Sequence, residues 1–212
     1  MSPEDLAAKH PCLYHLTDPV ALPGILRHGL LPTSGLLSLF EVPQADRVAI
    51  ERRRRSAGVP ITHPVHGTVL ITDNLPLSET ALRSCLDDGL SPEDWLLLLN
   101  YRVFFWPDEE NLDGHRNARL NKGRERLVLV VDTLSLVRRH HQHVELTAIN
   151  TGATMRKPAR RGLTTFVPAH LHSYEGWRRL RGGRDRLKEV AVVGGVADIS
   201  DHLVKHYLVS GA

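Results

Sequence analysis

Residues 13–32, LYHLTDPVALPGILRHGLLP, carry the pattern from which the rest of the chain is read. Residues 12–17, CLYHLT, form a short run of strand character that Asp18-Pro19 ends. Asp18 is placed to cap a helix over residues 19–28 that begins on Pro19, carries Leu22, Ile25 and Leu26 on one face and stops at Gly29. Within the strand, two-residue alternation puts His15 and Thr17 on the same face. A buried imidazole beside a hydroxyl is costly unless both find partners. The pair therefore reads either as part of a ligand site or as a satisfied core histidine.

Working outward, residues 44–56 (QADRVAIERRRRS) predict a polar, arginine-rich helix halted by Gly58 and Pro60. A strand over residues 67–72 follows, then two short helices over residues 77–86 and 91–99, the second with Ser91 as cap and Pro92 at its first position. Residues 102–106, RVFFW, give the most aromatic strand, and residues 109–119 a helix. The unbroken run RLVLVV, residues 126–131, is the signature of a strand buried on both faces. Further strands are expected at residues 144–149 and 188–193, with a closing helix or extended tail at residues 199–208. Short strands separated by helices, with no internal repeat, predict one α+β domain over residues 1–212 built on a mixed sheet.

Composition narrows the class. With 212 residues, 42% hydrophobic and 24% charged, the chain is long and apolar enough for one core and is not a disordered polymer. No apolar run approaches the ~18 residues a membrane span needs, and the acidic start MSPEDLAAKH is unlike a signal peptide. Two cysteines, Cys12 and Cys85, are too few for a disulfide framework. A reduced, soluble, cytoplasmic protein is expected. The formal charge of +3 is unevenly spread: residues 115–186 hold 16 Lys and Arg against 5 Asp and Glu. Of the 27 cations in the chain, 22 are Arg, the better fork-shaped ligand for phosphate. A polyanionic partner and a GC-rich genome, in which Arg replaces Lys throughout, explain this equally well.

Other constellations are weaker. His140, His141 and His143 read as an exposed loop after a strand, as do His63 and His66, and no spacing typical of a metal site, phosphate loop or hydrolase elbow occurs. No metal is expected. Glu189 opens an otherwise apolar strand, which places it either at a solvated sheet end or in a cleft. The loop over residues 150–168 carries Arg156, Lys157, Arg160 and Arg161, with Phe166, Tyr174 and Trp177 close by in sequence. Cations and aromatics of this kind suit single-stranded nucleic acid, and a solvated surface loop is the alternative.

Taken in chain order, residues 13–32, ADRVAIERRRRSAGVP (45–60), GTVLITDN (67–74), YRVFFWP (101–107) and KEVAVVGGVADI (188–199) resemble the DarT-type ADP-ribosyltransferases. These are toxins that modify DNA bases using NAD. Tyr14, His15, Thr17, Ile25, Leu26, Gly29 and Leu30 stand where that family has its opening motif, and the likeness is strongest there. Residues 75–100 have no counterpart. The opening also resembles that of NAD-dependent RNA 2′-phosphotransferases.

The resemblance implies a split sheet of the ADP-ribosyltransferase kind with flanking helices, NAD as co-substrate and no metal. It implies Glu189 and Arg53 as catalytic residues, and His15 and Thr17 on the nicotinamide and ribose. Tyr101, Phe105 or Trp106 would stack the pyridinium. Arg156, Lys157, Arg160 and Arg161 would meet a nucleic acid, single-stranded DNA foremost, and a macrodomain-type antitoxin would be the partner. The rival expectations are an enzyme acting on protein or RNA, an NAD glycohydrolase, or a basic binding module that has lost turnover.

Overall fold

A computed structural model describes residues 1–116, 125–155, 157–180, 183 and 186–210, with the side chains of residues 114–116 outside the description. Chain order runs α1 (Pro3–Lys9), β1 (Cys12–Thr17), α2 (Leu22–His28), α3 (Thr33–Leu39), α4 (Gln44–Glu51), β2 (Val59–His63), β3 (Gly67–Ile71), α5 (Glu79–Cys85) and α6 (Pro92–Asn100). It continues with β4 (Arg102–Phe105), α7 (Glu109–Arg116), β5 (Glu125–Asp132), α8 (Thr133–His140), β6 (Val144–Thr147), β7 (Val167–Pro168), α9 (Tyr174–Leu180), β8 (Glu189–Val193) and β9 (Leu203–Ser210). One sheet has the order β1-β5-β9, another β4-β8-β6-β7, and β2-β3 stand as a hairpin.

The α+β class and the splitting of the sheet follow the sequence expectation, but every described ladder is antiparallel rather than mixed. Parallel neighbours need a crossover that returns to the same sheet. Here α7 lies between β4 of one sheet and β5 of the other, and α8 carries the chain back to β6. The one parallel feature among the described residues is an isolated bridge, Leu86 to Arg161.

β5 supports the fold. Leu127, Leu129 and Val131 face the principal core with Leu13, Val103, Phe105, Leu146, Val190 and Val192, while Val128 and Val130 pack against Leu112 on the other face. Each such fully buried aliphatic side chain contributes about 1.5–3 kcal/mol. The alternation along β1 matches: Leu13 joins the first cluster, Tyr14 and Leu16 the second.

Local signals mostly hold. Asp18 accepts the Val20 amide and leads a 3-10 turn into α2, which Gly29 terminates at φ 84°. Ser91 and Asp94 form a reciprocal cap on α6. Two expectations fail. The helix predicted over residues 44–56 ends at Glu51, because a run of four like charges is a poor helix continuation and the arginines find carbonyls elsewhere. Residues 133–140, taken for the approach to an exposed loop after a strand, form α8, capped by Asp132. Of the closing helix or extended tail expected, the chain takes the extended form, as β9 pairing with β5. No described helix is long and apolar enough to cross a membrane.

Candidate active site at the seam between the sheets

The two larger sheets meet where β1 and β4 touch. Tyr14 and Trp106 exchange both backbone hydrogen bonds, at 2.9 and 2.8 Å, and form an isolated bridge. In a continued antiparallel ladder the next hydrogen-bonded pair would be Leu16 with Phe104. Instead the strands part, and the Phe104 carbonyl accepts from Nδ1 of the His15 ring at 2.8 Å. The imidazole thus satisfies a carbonyl left open by the parting. Burial holds its pKa below the ordinary histidine value, with the Phe104 bond acting in the opposite direction. A neutral ring donating through Nδ1 keeps Nε2 as an acceptor. Thr17 is half-buried and follows two positions on along β1.

Glu189 opens β8, whose next residue, Val190, pairs with Phe105 of β4. On its other side Glu189 pairs with Thr147 of β6. Its side chain is buried. Thr151 gives it a hydroxyl bond at 2.7 Å and an amide bond at 3.2 Å, and Thr147 Oγ1 lies 3.3 Å from the same oxygen. Burial pushes the carboxyl up to about 7, against those bonds and the attraction of Arg161. A carboxyl poised near neutrality is suited to proton transfer.

The strands of His15 and Glu189 are brought within one strand of each other, but the side chains have separate surroundings. His15 lies beside Phe105, ring centroids 5.7 Å apart, on the face of Leu13 and Val190. Alternation sends Glu189 to the opposite face, that of Ala191 and Phe104. That face is covered by the segment over residues 75–100 and the loop over residues 150–168. Trp95 of α6 is fully buried and stacks on Phe166 at 5.5 Å, and Arg161 backbone atoms bond to Cys85 and Asp87. Residues 75–100 and the loop together bury this sheet face.

Several candidates need correction. Arg161 was expected to meet nucleic acid, yet it is 2% exposed and donates to the carbonyls of Thr151, Ala153 and Ala159. Its guanidinium is spent on shaping the loop. Phe105 is fully buried and offers no platform for a pyridinium, and Trp177 and Phe166 belong to the core as well. Tyr101 is 53% exposed but caps α6 at the opposite end of β4 from Trp106, ~16 Å along an extended chain. Only Trp106, half-buried beside Tyr14, stands at the seam.

Arg160 is exposed and pairs with Asp87. Lys157 is exposed in a left-handed turn at φ 39°. Arg156 lies outside the described residues.

Arg53 is exposed on the turn after α4, while its neighbours are anchored. Arg54 donates to the carbonyls of Leu75 and Leu77. Arg55 reaches Thr72 O at 2.9 Å, Ile50 O at 2.6 Å and Asn100 Oδ1 at 3.2 Å, and burial lowers its pKa to about 10. Sequence reasoning missed this anchoring because it assumed a helix through the arginines. It also missed Thr151, whose role emerges only from loop geometry.

The family of unknown function DUF7002 matches residues 11–203. The chain belongs to the DUF7002 family. No curated protein matches this DUF7002 chain. Among solved structures, Thermosipho africanus DarTG in complex with ADP-ribose is similar at 14% identity and a TM-score of 0.45. That match covers 92% of the DUF7002 chain and 43% of the DarTG chain, so the protein spans less than half the length of that structure.

Proposed function

We propose that this DUF7002 protein is an NAD-dependent mono-ADP-ribosyltransferase acting on a nucleic-acid base, single-stranded DNA foremost, as a toxin or defence effector. A macrodomain-type antitoxin is the partner this role calls for. The reading rests on the opening motif and on one observation, the neutral His15 locked at the parting of β1 and β4 with Nε2 left as an acceptor. NAD would enter at that parting. His15 and Thr17 would hold a ribose hydroxyl and the nicotinamide amide, and Trp106 would flank the pyridinium. Arg53, exposed beside α4, would bind phosphate. Lys157 and Arg160 would meet the acceptor backbone.

Loss of nicotinamide leaves an oxocarbenium-like sugar, as glycoside cleavage does. Glu189 would stabilise that charge and take the acceptor's proton. Because Glu189 faces away from His15, this chemistry requires Thr151 to release it, the loop over residues 150–168 to lift and the carboxyl to swing round the start of β8 to the seam. The burial of Glu189 also favours a second reading, a binding module that keeps NAD and does not turn it over.

One experiment separates the two. The full chain is incubated with labelled NAD and, in parallel, with single-stranded DNA, RNA and protein, followed by nicotinamide assay and mass spectrometry of the acceptors. The transferase reading predicts ADP-ribose on DNA, lost in Glu189→Gln with NAD affinity kept within a few-fold, and weakened NAD binding in His15→Ala. NAD binding without nicotinamide release selects the second reading. No NAD binding rejects both.

A further inference from the structure

At the far side of β5 from the seam, three side chains from separate stretches converge. His140 ends α8, Asp198 lies in the turn after β8, and His202 immediately precedes β9. The ligand-capable atoms of the three lie within 4.8 Å of one another. His140 Nε2 is 2.7 Å from Asp198 Oδ1, and His202 Nε2 is 3.6 Å from Asp198 Oδ2. His202 is 95% buried by side-chain and backbone surface together, at 5% exposure, and its Nε2 has no hydrogen-bond partner. An imidazole nitrogen buried without a bond is costly, and this one points at the carboxylate and at His140.

We propose that His140, Asp198 and His202 form a binding site for a divalent transition metal ion of the zinc type. Two imidazoles and a carboxylate are a donor set that such ions favour over calcium or magnesium. The surroundings are arranged for it. His202 Nδ1 lies 2.6 Å from Ser135 Oγ, and the Ser135 amide is fixed by Asp132 at 2.7 Å. With Nδ1 donating to that hydroxyl, the Nε2 lone pair is aimed inward, the orienting role that outer partners play around metal-bound histidine.

His140 sits at the C-terminal end of α8, where the helix dipole favours a cation. The competing cation, Arg139, reaches Asp198 at 3.3 Å but is largely exposed, so its hold is weak. Ligand atoms ~3.4 Å apart suit a tetrahedral ion at ~2.0–2.1 Å, and small side-chain rotations close the present spacing. Neutral His140 would bind the ion through Nε2 in the tautomer that carries its hydrogen on Nδ1, so the ion takes the place of the His140–Asp198 hydrogen bond with no net proton change at that ring. Three protein ligands leave one position for water, on the side of a groove of about 630 Å³ that Ser135, Asp201 and His202 line.

Burial hides this site from the sequence, since 58 residues separate His140 from Asp198. It is also independent of the NAD reading. The test is titration of the metal-free full chain with zinc against a chromophoric chelator, together with thermal melts and the visible spectrum of the cobalt-loaded protein. One equivalent of zinc should bind, raise the Tm, and weaken at least ~10-fold in His140→Gln and in Asp198→Asn. His202→Ala should abolish binding. If that variant does not fold, the two half-buried positions decide. His63→Gln, in the separate His28, His63 and His66 group, should leave affinity unchanged. A wild-type chain that takes up no zinc overturns the proposal, as does equal binding by the His140 and Asp198 variants, or loss of binding in His63→Gln.

Discussion

Glu189 and Arg161 grip Thr151 from opposite sides: the carboxylate takes its amide and hydroxyl, and the guanidinium donates to its carbonyl at 3.0 Å. Both charged groups are buried, so the start of the loop over residues 150–168 is fastened to β8 from beneath. The acid is thereby both a candidate for catalysis and a structural fastener. Its protonation reads out the second role.

Burial raises the Glu189 carboxyl from 4.5 to about 7. In that interval the folded chain holds a proton that the unfolded chain has lost, so stability falls as pH rises and levels off above the folded value. The full effect is about 3 kcal/mol. Denaturant melts at about pH 5 and about pH 8 should show the wild type losing ground relative to Glu189→Gln by an amount of that order. Parallel profiles for the two proteins would mean that the carboxyl is not buried in solution.

Arg161 gives a prediction that separates structure from nucleic-acid contact. Replacing it with Lys removes the planar fork that serves three carbonyls and leaves acceptors unpaired. Arg161→Lys should cost about 2–4 kcal/mol in urea unfolding. In Arg161→Gln, which removes the charge as well, the salt dependence of any DNA affinity should be unchanged, because the guanidinium is already committed to three carbonyls. A shallower salt slope in the variant would return Arg161 to the interface.

What the sequence reveals here is local. Asp18, Gly29, Ser91 and the run over residues 126–131 are read correctly, because caps, stops and doubly buried strands depend on neighbours in the chain. The antiparallel pairing is not legible, since it depends on α7 and α8 crossing between sheets. Nor is the fate of the arginines. Residue type alone does not tell the exposed Arg53 from Arg55, whose partners at Thr72 and Asn100 lie in other segments. The opening motif singles out His15, whose immediate partner in the structure is a backbone carbonyl of β4, which no motif encodes. The burial of Glu189 is likewise not legible, since Thr147 and Thr151, which close over it, lie about 40 residues earlier in the chain.

His15 should report its neutral state through stability. Burial depresses its pKa from 6.5, so the neutral ring is the form the fold prefers. Its contribution is complete above the unfolded value and is lost as pH falls below it. His15→Ala leaves the Phe104 carbonyl without this donor, a change worth about 1–3 kcal/mol near neutral pH. The gap between wild type and variant, followed by denaturant melts, should narrow below about pH 6.5. A gap that widens on acidification would require a charged ring at the seam.

Gly29 and Gly24 make a matched pair in and beside α2. At Gly29 the backbone is left-handed at φ 84°, and an added Cβ would stand 2.4 Å from Ala197 Cα. That contact is with backbone held by the Leu30–Val196 bridge, so it has no cheap relief. Gly29→Ala should therefore cost more than the ~1 kcal/mol of backbone strain alone and shift the chain toward unfolding. At Gly24, inside the helix, a Cβ meets nothing within 4 Å. Gly24→Ala should stabilise by about 0.5–1 kcal/mol through helix propensity. Thermal melts of the two variants should move in opposite directions, because the same methyl group enters packed backbone at one site and open space at the other.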